Sequence, residues 1–237
     1  GEPAIPACEF VTKAIFAPLA EELAKASVFI LVATGARKLE LTSLTDHIFY
    51  AGICALGFAF VENLGYFALS SSAGEFVVMA LVRTGFGVFG HPLYTTATAV
   101  GIWAWRTKGG LWKAAVGYIA ACLLHGLWNG GPTLLAGSLG LDDTGQLAAM
   151  ILVYIVLFVP VFIGTIIMTT RNRRNEYEAV RSQLPVMVEA GLVTPAEADM
   201  IADPRKRRAI LADSGKYGRV AQRNQNSAST AAPVAAR

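Results

Sequence analysis

The 237-residue chain is 54% hydrophobic and only 16% charged, with a mean hydropathy of +0.48. Soluble domains carry about 25% charged residues, so this balance points to a membrane protein and excludes a disordered or disulfide-rich secreted chain. The net charge of +3 belongs to the tail: residues 1–170 hold 8 basic and 10 acidic side chains, residues 171–237 hold 12 and 7, and nothing in this pattern implies a nucleic-acid partner.

The chain begins without an initiator Met or a basic leader with a cleavage site, and its first residues read as the interior of a longer protein. A bilayer core needs about 20 predominantly apolar residues per helix. Five stretches meet that demand, at roughly residues 10–34, 47–70, 76–105, 111–136 and 146–170. The predicted fold is therefore all-α: a polytopic membrane bundle of about five transmembrane helices over residues 10–170. Cys8, Cys54 and Cys122 show no ligand spacing and are read as small apolar fillers.

Loop charge sets the orientation, because Lys and Arg are retained on the cytoplasmic side. Arg37 and Lys38, then Arg106, Lys108 and Lys113, then Arg171, Arg173 and Arg174 mark alternate loops, whereas loops 71–75 and 137–145 carry only Glu75, Asp142 and Asp143. The reading is a multi-pass protein of the cell membrane with its C-terminus in the cytoplasm. Residues 171–213 form a basic helical appendage on that side. In it Thr194-Pro195-Ala196-Glu197 has the form of a capping box, and Arg205-Lys206-Arg207-Arg208 is suited either to anionic headgroups or to solvent. The Ser/Asn/Gln/Ala-rich residues 214–237 have the composition of a disordered tail.

Ionisable groups inside a span cost roughly 2.5–3.5 kcal/mol each on insertion scales, so each one needs a reason. The first span holds Glu21, Glu22 and Lys25; the second holds Glu62 beside Asn63; the third holds Arg83, His91 and Thr95; the fourth holds His125 and Asn129. At about 1.5 Å of rise per residue, Glu21 and His125 come about 16 Å below the outer ends, Glu62 and Asn129 about 10 Å, and His91 about 22 Å. Four helices thus place polar groups in one slab. A single hydrated site accounts for this better than four unrelated accidents. Adjacent Glu21 and Glu22 diverge by about 100° on a helix, which assigns them different tasks: one faces the cavity and the other pairs with Lys25 or anchors a neighbour. Glu22 and Lys25, three residues apart on one helix, can pair, and Glu62 and Arg83 are expected to pair and hold helices together.

In order, Glu21-Glu22-Leu23-Ala24-Lys25, Phe58-Ala59-Phe60-Val61-Glu62-Asn63, His91-Pro92-Leu93-Tyr94-Thr95 and His125-Gly126-Leu127-Trp128-Asn129 match EExxK, FxxxEN, Hxxx[ST] and HxxWN. The series resembles the PrsW family of intramembrane endopeptidases, which is similar to the type II CAAX prenyl proteases. The resemblance implies a protease that cuts a membrane-anchored, anti-sigma-factor-like protein near the outer surface, a site-1-type cleavage. It also implies that the double-Glu helix supplies the water-activating base and that the later His and Asn stabilise the oxyanion.

With no Ser-His-Asp or Cys-His arrangement in view, activated water is the expected nucleophile. A carboxylate desolvated in a membrane cavity is a stronger proton acceptor. The predicted catalytic set is Glu21, Glu22, Glu62, His91, His125 and Asn129: Glu21 or Glu22 takes the water's proton, His91 orients the water, and His125 and Asn129 donate to the oxyanion. No cofactor is required on this reading. The alternative is a zinc site of Glu62, His91 and His125, with Glu21 or Glu22 as base. A second class of function, a non-catalytic membrane scaffold or a proton-coupled transporter, would use the same buried Glu and His as an assembly core or a relay. The expected partners are the substrate and the lipid bilayer; the oligomeric state is open.

Overall fold

The computed structural model describes residues 7–35, 41–203, 205, 206, 209, 212, 213 and 215. Arg37, Lys38, Arg207, Arg208 and almost all of the 214–237 tail lie outside them. Secondary structure among the described residues is helical throughout: α1 (Ala7–Val11), α2 (Ala17–Thr34), α3 (Leu44–Ala68), α4 (Ala73–Val82), α5 (Val88–Lys108), α6 (Trp112–Leu139), α7 (Asp143–Val153), α8 (Val159–Glu189) and α9 (Pro195–Ala202). The chain divides into two compact units, Gly1–Arg173 and Arg174–Arg237.

Three five-residue π-turns, Thr12–Phe16, Arg83–Gly87 and Tyr154–Phe158, join α1 to α2, α4 to α5 and α7 to α8 into continuous helices. The first has a visible local cause. Pro18 has no N–H to return to the carbonyl one turn back, and the Ala17 N–H bonds Thr12 O, five residues back, in place of Lys13 O. The wide turn thereby frees the Lys13 carbonyl.

Polarity is distributed inside out in the first unit. Its fully buried side chains include Glu22, Lys25, His47, Thr95 and Thr98, with His91 and His125 nearly so. Leu31, Phe60, Leu81 and Val156 are each more than 60% exposed. Apolar side chains facing outward around a polar interior are what a helix bundle needs when its surroundings are hydrocarbon. By length and composition, Leu44–Ala68, Ala73–Lys108 and Thr144–Glu189 are long and apolar enough to cross a membrane. The other two stretches expected to cross are helical, but they hold much of the polar set: residues 7–34 contain Glu9, Lys13, Glu21, Glu22 and Lys25, and Trp112–Leu139 contains His125 and Asn129. Polar groups that build an interior lower the apparent hydrophobicity of the helices that carry them.

Close helix approach depends on glycine at two places. Between α5 and α6, a Cβ on Gly117 would lie 2.5 Å from Ala97 O and 2.9 Å from Gly101 Cα, and one on Gly101 would meet Lys113 O at 2.6 Å. On the next part of α6, Gly126 lies against Ala14 O of the first π-turn, and Gly130 lies against Ala14 and Phe10. Backbones can touch at these crossings because no side chain intervenes. The loop before α6 turns through Gly109 and Gly110, both at positive φ. Lys113 Nζ then caps the carbonyls of Lys108, the last residue of α5, and of Gly109 just beyond it.

Helix α8 continues past Arg171, where the sequence reading places the start of the appendage, because residues 171–184 contain neither Gly nor Pro. In the second unit, Thr194 and Glu197 make the reciprocal capping box, with the Thr194 N–H donating to Glu197 Oε2 at 2.8 Å and the Glu197 N–H to Thr194 Oγ1 at 3.2 Å.

Gly117→Val is expected to destabilise the bundle by about 1–3 kcal/mol through overpacking at the α5–α6 crossing. Gly57→Ala, where a Cβ meets nothing within 4 Å, is the control and should be neutral to slightly stabilising, because Ala suits a helix interior better than Gly. Unfolding of the purified proteins in detergent measures both.

Candidate active site

The α2 helix directs its two adjacent carboxylates in different directions. Glu22 points into the bundle and has no exposed surface. Its Oε1 accepts from Lys25 Nζ at 2.7 Å and from His125 Nδ1 at 3.0 Å, and its Oε2 accepts from Thr95 Oγ1 at 3.0 Å. One carboxylate thus binds side chains of α2, α5 and α6. Glu21 is 20% exposed and lines a cavity of about 520 Å³ together with Glu62, Arg83, His91, Trp128 and Asn129. Its Oε2 is buried and has no hydrogen-bond partner among the described residues. His125 Nε2 lies 3.7 Å from it and Lys25 Nζ 3.8 Å.

His125 and Glu21 therefore meet in a particular way. A carboxylate accepts, so the ring proton of neutral His125 sits on Nδ1, directed at Glu22. Its Nε2 then carries a lone pair, and that lone pair faces the Glu21 oxygen. Tyr94 stacks on the His125 ring at 4.7 Å and 21°, and Phe158 packs edge-on against Tyr94 at 5.4 Å. Nothing in the sequence singles out Tyr94; it lies inside the Hxxx[ST] stretch at a position the motif leaves open.

His91 has both ring nitrogens engaged. Nδ1 lies 2.8 Å from Lys25 Nζ, and Nε2 lies 3.0 Å from Glu62 Oε2. Glu62 in turn accepts from Arg83 Nη2 at 2.7 Å, Arg83 Nε donates to Asn63 Oδ1 at 2.6 Å, and the guanidinium lies 3.7 Å above the Tyr66 ring. The expected Glu62–Arg83 and Glu22–Lys25 pairs are both present. Asn129 lines the cavity as well, but its Nδ2 donates at 3.0 Å to Lys13 O, the carbonyl freed by the first π-turn.

Glu62, His91 and His125 are the zinc ligands read from sequence, whereas the atoms that converge within 4.8 Å belong to Glu21, His91 and His125. For a metal ion, the donor chemistry of this trio fits in two parts out of three. Glu21 Oε2 is uncommitted, and His125 offers Nε2 with Glu22 behind its Nδ1–H, as metal-ligating histidines require. His91 does not fit, because ligation through Nε2 would leave a proton on Nδ1 facing an ammonium, and ligation through Nδ1 would require Lys25 to leave.

Thr95→Val removes the hydroxyl that serves Glu22 Oε2 while keeping side-chain shape. A hydrogen bond to a charged group contributes about 1.5–3 kcal/mol, and the variant should lose stability of that order in detergent unfolding. Thr107→Val, at an exposed position on α5, should lose little by comparison.

No curated protein and no solved structure matches the chain in comparisons with known proteins. A family model described as PrsW family intramembrane metalloprotease matches residues 2–165, more than two thirds of the chain. The match takes in every residue of the cluster just described, and with the apolar exterior it makes this a membrane protein. The chain belongs to the PrsW family of intramembrane proteases.

Proposed function

We propose that the protein is a five-span endopeptidase of the cell membrane, with its C-terminus in the cytoplasm. It hydrolyses a peptide bond of a membrane-anchored, anti-sigma-factor-like protein by site-1-type cleavage near the outer surface. The observation that carries the reading is the pair of facing acceptors, Glu21 Oε2 and His125 Nε2, 3.7 Å apart beside a cavity that Glu21 lines. A water admitted between them as the buried Glu21 Oε2 turns toward the cavity gives one hydrogen to each, which leaves its own lone pair directed outward as a nucleophile.

In this mechanism Glu21 takes the proton of the attacking water and passes it to the leaving amine. Glu22 is not the base, because hydrogen bonds from three side chains occupy it. It keeps the His125 proton on Nδ1 and so keeps Nε2 turned to the water. The oxyanion is served by the second amide hydrogen of Asn129, a preorganised donor of the kind worth about 2.7–4 kcal/mol in a transition state, and by the His91 Nε2–H, which the oxyanion takes over from Glu62. His125, expected from sequence to donate to the oxyanion, serves on the water side. The placement of Lys25 beside His91 favours the metal-free, glutamic form of the chemistry. With His91 and His125 neutral, the carboxylates of Glu21, Glu22 and Glu62 exceed the cations Lys25 and Arg83 by one negative charge, and that charge sits where the water's proton must go.

Glu21→Gln should lower cleavage of a single-span reporter, co-reconstituted in liposomes, by about 10²–10⁴-fold, the usual contribution of a general base. Expression, membrane insertion and melting temperature should stay at the wild-type level. Cleavage that survives in Glu21→Gln overturns the assignment. Proton flux across the liposomes that depends on Glu21, with no cleavage, supports the transporter reading instead.

A further inference from the structure

Lys25 is the most completely buried cation among the described residues, with no exposed side-chain surface. It pairs with Glu22 at 2.7 Å and lies 4.5 Å from the centroid of the Phe58 ring. Ion pairing with Glu22 alone accounts for one of its three N–H bonds. A second is directed at His91 Nδ1, 2.8 Å away. An ammonium has only hydrogens to offer, so Nδ1 is the acceptor and the ring proton of neutral His91 is on Nε2. The other side of the ring agrees: Nε2 meets Glu62 Oε2 at 3.0 Å, and a carboxylate held by Arg83 accepts. Two independent partners therefore specify one tautomer.

The same logic gives the other two histidines of the chain the opposite form. His125 donates from Nδ1 to Glu22. His47 lies 2.6 Å from the Ser43 carbonyl through Nδ1, which must donate, and Arg106 Nη1 lies 2.9 Å from its Nε2, which must accept. His91 and His125 have ring centroids only 5.3 Å apart, yet they present unlike groups to the site.

We propose that Lys25, acting with Glu62, is a positioning residue that fixes His91 as the Nε2–H tautomer, opposite to His125, so that His91 serves the site as a proton donor and not as a base or metal ligand. The proton placement itself is independent of any activity, whereas the donor role rests on the protease reading above. One imidazole then accepts on the water side, the other holds against Glu62 the Nε2–H that a substrate oxyanion takes over, and the Glu22–Lys25 pair of the EExxK stretch keeps them from exchanging roles.

The test uses the full chain in lipid or detergent, labelled with ring-¹⁵N histidine. The sequence has only three histidines, so three pairs of ring nitrogens are read, assigned by single His→Asn substitutions. At about pH 8, above the ordinary histidine pKa, all three are expected neutral. His91 should then show a proton on Nε2 and an unprotonated Nδ1, with His47 and His125 the reverse. In Lys25→Met the unprotonated Nδ1 signal of His91 should move toward that of a free imidazole nitrogen while His47 does not move, and reporter cleavage should fall at least tenfold. Equimolar zinc added to the wild type should leave the His91 signals in place. A proton on His91 Nδ1 in the wild type overturns the proposal, and so does a joint shift of His91 and His125 on adding zinc. Should the tautomers be as assigned while Glu21→Gln still cleaves, the proton placement stands and the Glu21 mechanism falls.

Discussion

Burying a carboxylate among apolar helices costs several kcal/mol unless its lone pairs are occupied, and Glu22 meets that requirement through side chains of three different helices. Lys25 comes from its own helix, Thr95 from α5 and His125 from α6. The three bonds run from 2.7 to 3.0 Å, and together they constrain how the three helices lie against one another. Glycine pairs let the backbones approach, but they carry no directional information. Direction comes from the carboxylate. Stability and the geometry of the site therefore rest on the same atoms.

Much of this was readable from the residues. Charged and imidazole side chains inside apolar stretches are costly enough that each must have a partner, and equal depth on separate helices narrows the choice of partners. That reasoning reaches the Glu22–Lys25 pair, the Glu62–Arg83 pair and the divergence of Glu21 from Glu22. It cannot reach contacts that depend on rotation between helices. Lys25 bonding His91 across 66 residues, Tyr94 stacking on His125, and Glu21 rather than Glu62 converging with the two histidines all follow from how α2, α5 and α6 turn toward each other. Asn129 shows the limit most clearly. Its amide is committed to a backbone carbonyl whose availability depends on a wide helical turn, and no side-chain motif records that.

Fold and chemistry also share an electrostatic design. Arg83 and Lys25 flank the cavity-facing groups, each tied to a carboxylate, so positive charge is supplied at two fixed points. Between those points Glu21 keeps one oxygen free of hydrogen bonds. The buried Tyr94 hydroxyl beside His125 is likewise unmet, so hydrogen bonding is left incomplete at the centre of the cluster.

The π-turn at Arg83–Gly87 links the cation that holds Glu62 to the helix that carries His91. Such a turn amounts to one additional residue threaded into an otherwise regular winding. The widened turn absorbs that residue, so the helix beyond keeps its facing; removing a residue from the regular α winding just after it would instead swing everything beyond the cut by about 100°, one residue's share of a turn. His91, Tyr94 and Thr95 would then leave their neighbours together. Between the guanidinium of Arg83 and the imidazole of His91, the length of the winding matters as much as the side chains at its two ends.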